Sequence, residues 1–377
     1  ATIGNITGDF IGNYAKTTGL YSYAYGGAIY NYVQGYDSTA TIGNITGDFI
    51  GNYAQGSYYA YGGAIHNYGN NAIIETITGD FIGNYVQGSS YAEGGAIYNE
   101  SAIGDITGDF IGNYVQSGSY SAIGGAIYNY ANYETATIGN ITGDFIGNYA
   151  QSSSANGGAI YNYLGTIGNI TGDFIGNYAK SIGSASNAYG GAIYNYAGNS
   201  STATIRDITG DFIGNYAQGK YAAGGAIYNS ARYGKATIGD IKGDFIGNYA
   251  KSYKNALGGA IYNGIYSSSD KATIGLTNNN FLNNYAVSEN LTAKGGAIFT
   301  NYDLTLNADN GTSLISGNYT KSNGVKENNA IYVANLANSS GTIQRNTTFT
   351  LNAVNNGKIQ IDDTISGGSY YSSDKFW

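Results

Sequence analysis

Apolar residues come in short bursts along this chain, and the bursts repeat. In residues 1–15, ATIGNITGDFIGNYA, the apolar positions Ile3, Ile6, Phe10 and Ala15 are separated by Gly, Asn, Thr and Asp. The same block returns with its phenylalanine at Phe10, Phe49, Phe81, Phe110, Phe145, Phe174, Phe212 and Phe245, then at the weaker Phe281 and, substituted, at Ile315. These ten units are spaced 29 to 39 residues apart. A second motif, GGAIYN, interleaves with the first, starting at Gly26, Gly62, Gly94, Gly124, Gly157, Gly190, Gly224, Gly258 and Gly295, with a degenerate copy at Asn328–Tyr332. Length varies at two joints only: before GGAI, as in KTTGLYSYAY, and after it, as in VQGYDST. A fixed frame with elastic joints is the signature of a solenoid, in which equivalent segments stack while loops project. The segments are short, rich in Ile, Phe, Tyr and Thr, and lack the i, i+3, i+4 apolar run of a helix. The pattern therefore predicts an all-β protein, a parallel β-helix of about ten rungs with three short strands per rung over residues 1–334. Residues 335–377 read as a less regular β segment that continues or caps it.

In such a fold each frame position forms a column of like residues, spaced ~4.8 Å from rung to rung. Alternation from Phe10 places Ile3, Ile6, Phe10, Ala15 and Ile29 in the core and turns Tyr14 and Tyr30 outward. Asn13 is expected at the corner in a left-handed conformation, its amide bonded to the Asn of the next rung; the column is Asn13, Asn52, Asn84, Asn113, Asn148, Asn177, Asn215 and Asn248, ending at Asn284 and Asn318. Gly8, Gly12, Gly26 and Gly27 are expected at corners where a Cβ would strike the next rung.

The composition supports a packed structure: 60 glycines and 41 tyrosines among 377 residues are accompanied by 42% hydrophobic content, while Pro, Cys and Met are absent. Without cysteine there is no disulfide framework, so packing and backbone pairing must supply the stability. A net charge of −8 with only 16 basic residues argues against a nucleic-acid partner. No apolar run is long enough to span a membrane as a helix. The chain opens in mid-repeat at Ala1 without a signal segment and so reads as a piece of something longer. An uncovered first rung would make head-to-tail stacking into a filament an expectation.

The paired GGAI and FxxN signature, as in Gly26-Gly27-Ala28-Ile29 and Phe10-Ile11-Gly12-Asn13, resembles the repeats of the polymorphic outer membrane protein family, the passenger domains of autotransporters. The resemblance covers nearly the whole chain, including FTLNAVNNGKIQIDDTISG near its end. It implies a right-handed β-helix exported across an outer membrane and displayed or released outside, commonly as an adhesin. The translocator barrel of such proteins is not among these residues.

Catalysis needs singular residues that break the repeat and converge, and none is evident. β-Helical polysaccharide lyases and hydrolases are the enzymatic alternative, but their GHG and NTD motifs are absent, and Asp362-Asp363 has no partner pattern. No enzyme activity, cofactor or metal ligand is expected. The lone histidine, His66, replaces a column tyrosine and is expected to point outward. The aspartates Asp9, Asp48, Asp80, Asp109, Asp144, Asp173, Asp211 and Asp244 stack one per rung. Ca²⁺ could bridge them, but no DxDxDG loop is present, so each is expected to be solvated or to bond N–H groups of its own turn. Two tyrosine columns are the candidate contact surface. One is Tyr14, Tyr53, Tyr85, Tyr114, Tyr149, Tyr178, Tyr216 and Tyr249, continuing to Tyr319; the other is Tyr30, Tyr98, Tyr128, Tyr161, Tyr194, Tyr228 and Tyr262. The expected partners are a host or bacterial surface protein or glycan, or copies of the chain itself.

Overall fold

The computed structural model describes residues 1–35, 37–132, 135–183, 186–338 and 340–371. All its regular structure is β, arranged as a solenoid of about ten turns. The first turn sets the pattern with six short segments: β1 (Thr2–Ile3), β2 (Ile6–Thr7), β3 (Phe10–Ile11), β4 (Tyr14–Lys16), β5 (Tyr23–Tyr25) and β6 (Ile29–Tyr32). The turn is thus divided more finely than three strands, because glycines interrupt the frame every few residues. Stacked on their equivalents, the segments build, among the described residues, five sheets of 18, 11, 9, 12 and 11 strands, with the β1 and β2 types sharing the largest. Pairing is parallel from turn to turn, and two late strands, Val325–Glu327 and Ile343–Arg345, add antiparallel to Tyr319–Ser322 and Asn329–Ala337.

Register is kept by identity. Phe10 pairs with Phe49 and Phe49 with Phe81, Tyr14 with Tyr53, Ile29 with Ile65 and Asn31 with Asn67. The expected inward columns form the core: the counterparts of Ile3, Ile6, Phe10 and Ile29 make one apolar cluster, and the alanines in register with Ala15 and Ala24 make another. Ile3 itself is 54% exposed in the first turn, while its partner Ile42 is buried. The phenylalanine rings stack with centroids 4.7 to 4.9 Å apart and nearly coplanar from Phe10 through Phe281.

The asparagine column does more than the expected amide-to-amide bond. Asn148 Nδ2 donates to Asn177 Oδ1 at 3.0 Å and to the carbonyl of Phe110 at 2.8 Å, while its Oδ1 accepts from the backbone N–H and the side-chain amide of Asn113. The pattern repeats along the column. One expectation is corrected. The left-handed residue at this corner is the preceding glycine, with Gly12 at φ 63° and its counterparts likewise, and Asn283 at φ 56° where the glycine is replaced. Asparagine keeps ordinary backbone angles because its amide has to lie along the column. The glycine collisions are also more varied than expected. A Cβ on Gly12 would meet nothing within 4 Å, so its conformation alone requires glycine there. In the GG corner, a Cβ on Gly158 would lie 2.0 Å from the carbonyl oxygen of Gly191 in the next turn.

Beyond Ala334 the chain adds a further partial turn. Leu304 pairs with Phe349, Ile315 with Ile361 and Ile331 with Ile365. Asp363 takes the asparagine's place, its Oδ2 accepting both the backbone N–H and the side-chain amide of Asn318 at 2.9 Å.

Replacing the fully buried Asn148 by Ala strands the carbonyl of Phe110 and two donors of Asn113. Chemical denaturation is expected to show a loss of roughly 3 kcal/mol or more, whereas Tyr149→Ala on the outer surface should cost only ~0.5–1 kcal/mol.

Candidate functional site

Two tyrosine columns were expected on the surface, and the structure separates them. The first, Tyr14 to Tyr319, is a continuous stack of ten partly exposed rings with centroids 4.8 to 5.2 Å apart. Between the ends of the stack each ring's faces are covered by its neighbours, so this surface offers edges and hydroxyls rather than open π faces.

The second column is corrected. Its tyrosines point away from the inner core, as alternation requires, yet Tyr98, Tyr128, Tyr161, Tyr194, Tyr228 and Tyr262 are all buried; Tyr30 alone, in the first turn, is exposed. The cause lies at the GG corner. There Gly26 and its counterparts adopt φ near 60° and fold β5 and β6 together on their outer side, bringing Tyr25 to 5.3 Å from Tyr30 and Tyr189 to 6.0 Å from Tyr194. In later turns the segment after GGAIYN closes over the column with Ala197, Ala203, Ala231, Ala236 and Ile265. The result is a second hydrophobic layer outside the sheets.

A second asparagine column escaped the sequence reading although it ends each GGAIYN. Asn31, Asn67, Asn99, Asn129, Asn162, Asn195, Asn229 and Asn263 face inward; from Asn31 to Asn229 each amide donates to the next Oδ1 at 2.8 or 2.9 Å and to backbone carbonyls, and Asn263, above which Thr300 stands, donates to the Ala272 carbonyl. The signal was the unvarying final N of the motif, which alternation from Ile29 turns inward.

The aspartates do stack. Each Oδ1 accepts the backbone N–H of the Asp one turn on, from Asp9 with Asp48 at 2.9 Å to Asp211 with Asp244 at 2.7 Å. The donor therefore belongs to the next turn and not, as expected, to the same one, because the parallel ladder presents that N–H to the carboxylate. Among the described residues, no group of three or more His, Asp or Glu is placed to hold a metal ion.

Singular residues do converge, contrary to the sequence reading. Three positions break tyrosine-bearing columns near one another: His66 stands between Tyr30 and Tyr98, Glu93 pairs in register with Tyr61, and Glu100 follows Asn99 where Tyr32 and Tyr68 follow Asn31 and Asn67. His66 is not outward in the sense of exposed. It is 2% accessible, stacked on Tyr25, Tyr30 and Tyr61 and edge-on to Tyr98 at 4.7 Å. Neither ring nitrogen has a hydrogen-bond partner, and Glu100 Oε2 has none either. Burial drives the His66 pKa down to about 3 and pushes Glu93 up to about 8, with the Glu100 charge adding to the rise. Burial likewise raises Glu100 to about 7, against a hydrogen bond from the Asn132 side chain that pulls it down. Beside these groups lies a cleft of about 370 Å³ walled mainly by tyrosines.

Comparison with known protein families, with curated proteins and with solved structures finds no match.

The three shifts set opposite pH limits. His66, lowered from 6.5 to about 3, costs stability as pH falls through that window, and the glutamates, raised from 4.5, cost stability as pH rises towards 7 and 8. Above 4.5 two glutamates outweigh one histidine, so this cluster places its stability maximum near pH 4.5. Thermal melts across pH should show His66→Tyr flattening the acid limb and the Glu93→Gln, Glu100→Gln pair flattening the alkaline limb.

Proposed function

We propose that the chain is a non-enzymatic binding scaffold, a rigid β-solenoid that presents variable loops and a tyrosine-rich side to a protein or glycan outside the cell. The observation that carries this reading is the division of labour between frame and joints. Backbone ladders, two buried asparagine columns and a phenylalanine stack hold every turn in register, while the joints differ freely. Six residues, 17–22, connect β4 to β5 in the first turn, and Ser153 alone does so in the fifth. Loops carried on a rigid scaffold are where recognition residues usually sit, and tyrosine supplies amphipathic contact area at low entropic cost.

The GGAI and FxxN resemblance supports placing the rod at a bacterial surface or in the surrounding medium, exported as an autotransporter passenger and acting in adhesion. Copies of the chain are the second class of partner, since parallel in-register pairing lets any turn template another.

Exchanging the 17–22 loop for the single-residue Ser153 connection should reduce attachment of the purified rod to its target surface without lowering its melting temperature. Attachment that survives this exchange and shortening of each remaining loop in turn would count against the adhesive reading. Electron microscopy tests self-assembly: fibres with an axial repeat near one rod length, ~45–50 Å from ten spacings of ~4.8 Å, support it, and uniform monomers at high concentration oppose it.

A further inference from the structure

Charge is distributed unevenly along the rod. The first 179 residues hold twelve acidic residues and a single basic one, Lys16, whereas the remainder holds twelve acidic and fifteen basic. The cluster of His66, Glu93 and Glu100 lies in the acidic half, and no Lys or Arg lines its cleft. Buried carboxylates are normally paired, because an unpaired charge in a low-dielectric site is costly. Here Glu100 Oε2 and both nitrogens of the 2%-exposed His66 lack partners altogether. A positive charge bearing several N–H donors would complement the ionised carboxylate and the acceptor nitrogen of the neutral imidazole.

We infer that this cleft binds a primary alkylammonium group, carried by a free diamine or by a lysine side chain. Its three N–H groups would go to Glu100 Oε2, to the unprotonated nitrogen of His66 and to a wall hydroxyl such as that of Tyr98, with the alkyl chain along the tyrosine rings. Aromatic walls around a cation add their own attraction. The three unpartnered atoms are closed off from bulk water, so binding requires a side chain of the cleft wall to move aside. The negative field of this half of the rod draws cations towards the cleft and disfavours anions. A neutral sugar would leave the carboxylates without a counter-charge. The site is independent of whether the rod adheres to a surface.

The groups facing the two carboxylates are Tyr61, Tyr68, Tyr98, Tyr128 and Tyr161, all held protonated by burial, together with His66, held neutral. Between pH 6 and 8 only Glu93 and Glu100 titrate within this group. A bound cation lowers both pKa values, so binding releases protons and strengthens as pH rises through that range.

The test is isothermal titration calorimetry on the whole chain at pH 8, with 1,5-diaminopentane in one arm and the capped peptide Gly-Lys-Gly in the other. Tetramethylammonium and methyl glucoside serve as probes lacking N–H donors and charge respectively. Saturable binding in either arm is expected, identifying the free amine or the side chain as the source. Glu100→Gln or His66→Phe should weaken it by about tenfold, and the heat should change with the ionisation enthalpy of the buffer. Tetramethylammonium should bind at least as weakly as the diamine does to Glu100→Gln. If a variant fails to fold, the wild-type pH series still decides, since affinity must fall between pH 8 and pH 6. Absence of saturable binding in both arms, affinity that does not change with pH, or methyl glucoside binding as tightly as the amines would each overturn the inference.

Discussion

Everything in this molecule depends on parallel pairing in register. Once a turn bonds to the one above it at ~4.8 Å, every side chain lies over its counterpart, and each position must hold a residue that tolerates its own copy as neighbour. Phenylalanine meets the requirement by stacking with rings nearly coplanar. Asparagine meets it because its amide has a donor on one side and an acceptor on the other, so a column of amides satisfies itself. Aspartate has no donor, and its column works only because the backbone N–H of the next turn supplies one. The same constraint explains how Asp363 can close the asparagine column: as the last member it needs only to accept.

Columns that stack this well leave little for binding on their own. Between the ends of the Tyr14 column each ring face is covered, and what reaches solvent there is a row of edges and hydroxyls. Chemical variety therefore falls to the places where repetition fails, which are the joints and the few frame positions that depart from their column. His66, Glu93 and Glu100 are such departures. Each replaces a residue whose neighbours are tyrosines, and each is left in a layer too apolar for an unpaired charge, which is why burial dominates all three shifts. A rod that is uniform elsewhere concentrates unusual chemistry there.

The frame and its columns were legible in the sequence because period and alternation are local properties. Counting from Phe10 to Phe49 gives the register, and alternation from Phe10 gives the sidedness of Ile6 and Tyr14. Alternation also gave the direction of Tyr98 and His66, outward from the inner core, but direction is not exposure. Whether an outward residue meets water depends on the angle at which the next sheet leaves the GG corner and on how the following segment folds back. Both are set by contacts between residues distant in sequence, such as Tyr189 with Tyr228.

The same division explains the convergence of the unusual residues. His66, Glu93 and Glu100 sit 27 and 7 positions apart along the chain, and nothing in that spacing says they come near one another. They meet because consecutive turns bring neighbouring columns side by side and the GG corner folds two of those columns onto each other. By itself the sequence determined the repeat, the register and the direction of each side chain, since these follow from backbone pairing and local alternation. Only the tertiary structure decided which outward columns are sealed and which departures meet, because burial and proximity are summed over the whole stack of turns.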